Sequence, residues 1–296
     1  MKLVSYSRGA DQRVGFLLGE QVCDLRYAAE SVSVSLPEFE GLIELATVDN
    51  LPVLSEVLQK LNGSSASEWS YALGDVTLHA PFRPKQNFII AGGNTPDDFV
   101  AQRSKNGKPL LRYHTKAPSA VIGPGEAISW PRRLSSQIHA EPHLAVVIGK
   151  SASYQSGEDA LSCIFGYAVA TNINGYDLKC KHGQWDKAVS LDTFCPWGPV
   201  IVTADEVDLN DLTCRLWLND RMALSGGVET GLLTTAELIS ELSFGITLEP
   251  GDVVLTATAE GVGFGVIPER WLQDGDVVRS GIEGIGEIEN SVVTYV

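Results

Sequence analysis

The chain has 296 residues, 44% hydrophobic and 20% charged, which suits a soluble globular protein with room for one large domain and a smaller one. Its formal net charge of -15 excludes a binder of phosphate backbones, which needs clustered Lys and Arg, and no apolar run approaches the roughly 20 residues of a membrane-spanning helix. Cys23, Cys163, Cys180, Cys195 and Cys214 include no Cys-x-x-Cys pair; they fit reduced thiols, and with no apolar signal core after Met1 the expected location is cytoplasmic.

Residues 2 to 25 read as short strands: Leu3 to Ser7, Arg13 to Leu17 and Gln21 to Leu25. Helices are expected around Leu36 to Ala46 and Leu51 to Leu61, the second with Leu51, Leu54, Val57, Leu58 and Leu61 at helical spacing. This makes a small α+β amino-terminal domain, 1–84. From 85 to 296 short β-like runs punctuated by glycine dominate: 88–91, 120–123, 144–148, 166–174, 199–202, 212–218, 252–256 and 276–279. A loop from Gly92 turns into a helix at Thr95 to Asp98. Two further helices are expected, one after Ser156 and one after Thr234, each with a capping box completed by Asp159 and Glu237. The pattern is mainly β, with too few helices for a doubly wound sheet.

The most informative stretch is Gln137-Ile-His-Ala-Glu-Pro-His-Leu-Ala-Val-Val-Ile-Gly149. Alternate side chains of an extended chain share one face, so His139, Glu141 and His143 can converge on one point. Imidazole and carboxylate are good metal ligands; the plainer alternative is hydrogen-bonded histidines and a solvated glutamate. Leu144 to Ile148 read as a strand buried on both faces, and Pro142 within it implies an edge or a bulge.

Ala117 to Gly125, Leu144 to Lys150, Asp192 to Pro199, Thr247 to Thr256 and Ile282 to Gly286 together resemble the fumarylacetoacetate hydrolase family, over roughly residues 87 to 296. The resemblance implies a mixed β-sandwich or β-roll, usually dimeric, that cleaves, decarboxylates, hydrates or isomerises small oxo-acids. It also implies a divalent metal that holds the substrate's oxygens and stabilises an enolate. On the family's pattern the metal-binding carboxylates fall at Glu141, His143 and Asn172, so two of the three are replaced; Asp98 matches a fourth. Magnesium wants oxygen ligands and charge. The set Glu141, His143, Asn172 and Asp98 therefore points to a transition metal such as zinc, iron, manganese or nickel, or to none.

The family's histidine base is missing, which leaves Lys105, His139 and Lys116 as catalytic candidates. The family's arginine is Tyr176 here and a family lysine is Val189. Tyr113-His-Thr-Lys116 resembles a substrate-binding run, so Tyr113 and Lys116 with Thr258 are expected to bind substrate, and Asp177 has a structural hydrogen-bonding role as its alternative. Two reactions stay open: hydrolysis or decarboxylation of a C–C bond in a small oxo-acid or diketone through a metal-held enolate, and a metal-independent lyase, isomerase or cyclase reaction. A non-catalytic ligand-binding relative is the third reading. The expected partners are a small-molecule substrate and a second copy of the chain, with no nucleic acid and no membrane.

Overall fold

The computed structural model describes residues 1–61, 69–92, 112–230, 233–258 and 270–296. Strands β1 (Lys2–Ser7), β2 (Gln12–Leu18) and β3 (Gln21–Asp24) form the expected opening meander. Asp24 then caps a short helix, α1 (Leu25–Ser31), by accepting the N–H groups of Arg26 and Tyr27. The helix expected over 36–46 is a single turn, α2 (Leu42–Leu45), because Gly41 is extended and serves as its cap. Helix α3 (Leu51–Leu61) buries Leu54, Val57 and Leu61, as its spacing predicts.

After β4 (Ser70–Ala72) and β5 (Thr77–Leu78) come β6 (Phe88–Gly92), β7 (Arg112–Thr115), β8 (Val121–Ile122), β9 (Ile128–Pro131) and β10 (Ile138–Ile148). A turn of helix, α4 (Glu158–Leu161), leads into β11 (Ile164–Gly175). It lacks the expected Ser156 to Asp159 box: Gly157 is the capping residue, and Asp159 N–H donates to the Ser156 carbonyl. Helices α5 (Tyr176–His182) and α6 (Asp186–Val189) follow. Neither is evident from apolar periodicity, although α5 carries two ordinary stop signals, basic residues in its last turn and a left-handed Gly183 after it. Strands β12 (Cys195–Pro196), β13 (Val200–Thr203), β14 (Thr213–Leu218) and β15 (Arg221–Gly227) precede α7 (Thr235–Ser243), where Thr234 and Glu237 do form the expected capping box. The chain then adds β16 (Val253–Thr258), β17 (Val277–Ile282) and β18 (Gly286–Tyr295).

The strands make a mixed sandwich. One sheet of 11 strands runs β4-β3-β2-β1-β13-β11-β10-β16-β6-β7, with β5 paired to β1; a second runs β15-β14-β17-β18-β9, and β12 pairs with β8. Strands from the segment 1–84 thus continue the sheet that carries β10 and β11, through the β1–β13 pairing. Leu144, Val146 and Ile148 enter one core while Ala145 and Val147 enter the other. That is why their run is uninterruptedly apolar. A buried hydrogen bond from Thr171 to Ser280, 2.7 Å, ties β11 to the second sheet. Among the described residues no helix is long and apolar enough to cross a membrane.

Candidate active site on the β10–β11 ladder

In the antiparallel β10–β11 pair, His139 stands opposite Asn174, Glu141 opposite Asn172 and His143 opposite Ala170. Directly opposed residues point the same way, as do residues two apart. The five polar side chains therefore occupy one face, with the small Ala170 leaving room beside His143. Beyond β10 on its other side, β16 pairs from His143 onward with a register shift between His143 and Ala145. Pro142 lies next to that irregularity, as a proline within a strand requires.

The polar atoms are joined in series. His139 Nε2 lies 2.9 Å from Glu141 Oε1, and Asn172 Nδ2 donates to Glu141 Oε2 at 2.8 Å. Asn174 Nδ2 is 2.9 Å from the same His139 nitrogen. Lys116 reaches the row from the turn after β7, donating to Asn172 Oδ1 at 2.7 Å and to the Val189 carbonyl. The orientation of the Asn172 amide is dictated by chemistry: ammonium only donates and carboxylate only accepts, so the amide oxygen must face Lys116 and its NH2 must face Glu141.

Lys116 is 2% exposed, an extreme position for a lysine. Burial pushes its pKa down to about 8, opposed by the neighbouring Cys195 and Glu141. Burial works the other way on Glu141, but hydrogen bonding from His139 and the nearness of both imidazoles prevail and hold its carboxyl far below the ordinary range. The contact from His143 Nε2 to Glu141 Oε2 is 3.6 Å, a close approach rather than a hydrogen bond.

His143 is 1% exposed, and among the described residues neither of its ring nitrogens has a hydrogen-bond partner. Among the described residues His139 Nδ1 and Thr256 Oγ1 are likewise buried and unpartnered. Orphaned buried polar atoms cost about 1–3 kcal/mol each, so a cluster of them marks a place built for something other than protein.

The ligand set expected from sequence is only partly assembled. His139, Glu141 and His143 share a face as alternation requires, yet the carboxylate lies between the imidazoles, each facing a different oxygen. Among the described residues no three His, Cys, Asp or Glu side chains form a group that could hold a metal ion. A hard ion such as magnesium takes about six oxygens. Here the one carboxylate among the described residues accepts an N–H bond on each oxygen, and Asn172, expected as a ligand, turns its oxygen to Lys116. Those residues do not fit a hard ion; a softer ion finds two donors, Glu141 Oε2 and His143 Nε2. Asp98 and Lys105 lie outside the described residues, and of Thr258 the backbone alone is described, paired with His143.

Tyr113 is directed elsewhere. Its hydroxyl donates to Glu241 on α7, and its ring packs in the core on the far side of the large sheet from Ala145 and Val147. Asp177 has the structural role: it accepts from Ser135 Oγ at 2.5 Å, from Ser136 N–H at 3.1 Å and from Leu178 N–H at 2.8 Å. Two neighbours were not anticipated. Asn174 carries the signal of standing two residues beyond Asn172, and Trp271, whose ring is 5.9 Å from His139 and stacked at 5.8 Å on Tyr176, carries none.

The sequence model of the fumarylacetoacetate (FAA) hydrolase C-terminal family matches residues 89–293. The chain belongs to the fumarylacetoacetate hydrolase family. It is an enzyme of that family, and it is 36% identical over 242 residues to the oxaloacetate tautomerase YisK of Bacillus subtilis, a match covering 81% of this chain and 80% of that one. Among solved structures, the fumarylacetoacetate hydrolase of psychrophilic Exiguobacterium antarcticum superposes with a TM-score of 0.80 at 32% identity, covering 100% of both chains. The maleylpyruvate hydrolase of Sphingobium sp. SYK-6, in complex with manganese and pyruvate, gives 0.77 at 26% identity, again over 100% of both.

Proposed function

We propose that this fumarylacetoacetate hydrolase family enzyme forms an enolate or enol from a small oxo-acid or diketone, and that tautomerisation, decarboxylation or C–C hydrolysis is its outcome. The observation that carries this reading is the arrangement at one sheet face of a buried ammonium, a partly buried carboxylate and an imidazole with no hydrogen-bond partner among the described residues. Removing a proton beside a carbonyl moves the C–H electron pair into a new C=C bond and the carbonyl pair onto oxygen. That step needs a proton acceptor and a cation near the oxygen. His143, uncommitted and shielded from water, suits the first task; Lys116 suits the second. Glu141, locked as a carboxylate, fixes His139 and sets the negative field in which His143 works.

A transition metal held by Glu141 and His143, with a further ligand from outside the described residues such as Asp98, is the competing form of the same reading. Such an ion would supply Lewis-acid stabilisation of the enolate. The activities for which the relatives are named, oxaloacetate tautomerisation and maleylpyruvate hydrolysis, support an oxo-acid as substrate. The test is a panel of oxaloacetate, acylpyruvates and 1,3-diketones followed by ultraviolet absorbance of the enol, with Glu141→Ala and His143→Ala assayed alongside. Turnover lost in both variants supports the reading. Turnover indifferent to both, or none across the panel, rejects it.

A further inference from the structure

We propose that Lys116 is the built-in cation of this site, and that the site takes up an enolate-like anion without a divalent metal ion. The proposal rests on the enolate reading above and deepens it.

A hard divalent ion finds one carboxylate whose two oxygens already accept N–H donors, and an amide oxygen engaged by Lys116. A second positive ion would enter the same hydrogen-bonded network as a buried ammonium, with one carboxylate among the described residues to balance both, and like charges repel strongly at low dielectric.

Burying a charge is costly unless it is paired and hydrogen-bonded, and a lysine that served packing alone would be replaceable by an apolar side chain. Lys116 instead has two oxygen acceptors among the described residues. An ammonium has three N–H bonds, which leaves one for a ligand oxygen.

The neutral carboxamide of Asn172 separates Lys116 from Glu141, touching each with a different end. With an aspartate in that place the ammonium would meet a carboxylate directly and its charge would be annulled. The neutral spacer keeps the positive charge available to an incoming anion, while the unpartnered nitrogens of His143 offer the remaining hydrogen bonds.

The test uses oxalate, a planar dianion that mimics the enolate of pyruvate, titrated calorimetrically into the full chain after chelator treatment, with metal content checked by plasma mass spectrometry. Metal-free protein should bind oxalate with an affinity within twofold of that measured with added manganese or zinc. Lys116→Met should weaken binding at least tenfold. Asn172→Asp should do the same in metal-free protein and regain binding when manganese is added. Oxalate binding that appears only with a divalent ion overturns the proposal, as does a folded Lys116→Met protein that binds normally. The wild-type comparison decides even if the lysine variant fails to fold. Metal-free oxalate binding without turnover of any oxo-acid would leave the cation standing and remove the reaction reading.

Discussion

Asn172 holds the Lys116 ammonium and the Glu141 carboxylate at opposite ends of one carboxamide, 2.7 Å from the first and 2.8 Å from the second. Replacing it by leucine, close in size but without polar atoms, strips a partner from a buried ammonium and a partly buried carboxylate at once. Asn172→Leu should lower the free energy of unfolding by about 3 kcal/mol, read from urea denaturation. A change under about 0.5 kcal/mol would mean that water reaches both groups.

Glu141→Gln keeps the shape of the side chain and removes its charge. A glutamine amide cannot accept from both His139 and Asn172 on its two ends, because one end is itself a donor. Turnover on any oxo-acid that the wild type accepts should fall about 10²–10³-fold, the scale seen when one preorganised electrostatic group is removed. An activity within threefold of wild type would show that the carboxylate has no part in the chemistry.

Gly166 lies where β11 crosses to β13, and a Cβ there would collide with the Val202 carbonyl. Backbone cannot swing aside as a side chain can. Gly166→Ala should therefore cost about 2 kcal/mol or more, seen as a lower melting temperature, and should loosen the β11–β13 pairing in hydrogen exchange before it affects the β10–β11 ladder.

Burial pushes the pKa of His114 down from 6.5 to about 4, with Asp186 opposing and Arg112 assisting. Between those values the unfolded chain binds a proton that the folded chain refuses, so stability falls as pH drops from about 6.5 through 4 and is unaffected by this group above 6.5. Urea midpoints at pH 7.5 and 4.5 should differ less for His114→Gln than for wild type. Equal differences would remove His114 as a source of the acid sensitivity.

Much of this was legible in the sequence, because periodicity reports burial. The run from Leu144 to Ile148 announced a strand covered on both faces, and the alternation of His139, Glu141 and His143 announced a shared face. Thr234 and Glu237 marked a helix start that the structure contains. What alternation cannot carry is the direction of side-chain tips: the two imidazoles were expected to meet at one point, whereas the carboxylate sits between them. Long-range partners were also hidden. Lys116 reaches Asn172 only because β7 pairs with β6, β6 with β16 and β16 with β10, a chain of register choices that no local pattern encodes. Tyr113, three residues earlier, is turned toward Glu241 instead, although both residues stood in one recognisable run.

The pairing of Lys2, Leu3 and Val4 with Val202, Ile201 and Val200 makes the amino-terminal segment a lining that seals β13. A fragment beginning near residue 85 would expose that strand as a row of unsatisfied backbone groups, adhesive toward any other extended chain. Anyone exchanging amino-terminal segments between relatives would have to carry over a strand that mates with Val200 to Val202, and would otherwise recover an insoluble catalytic half.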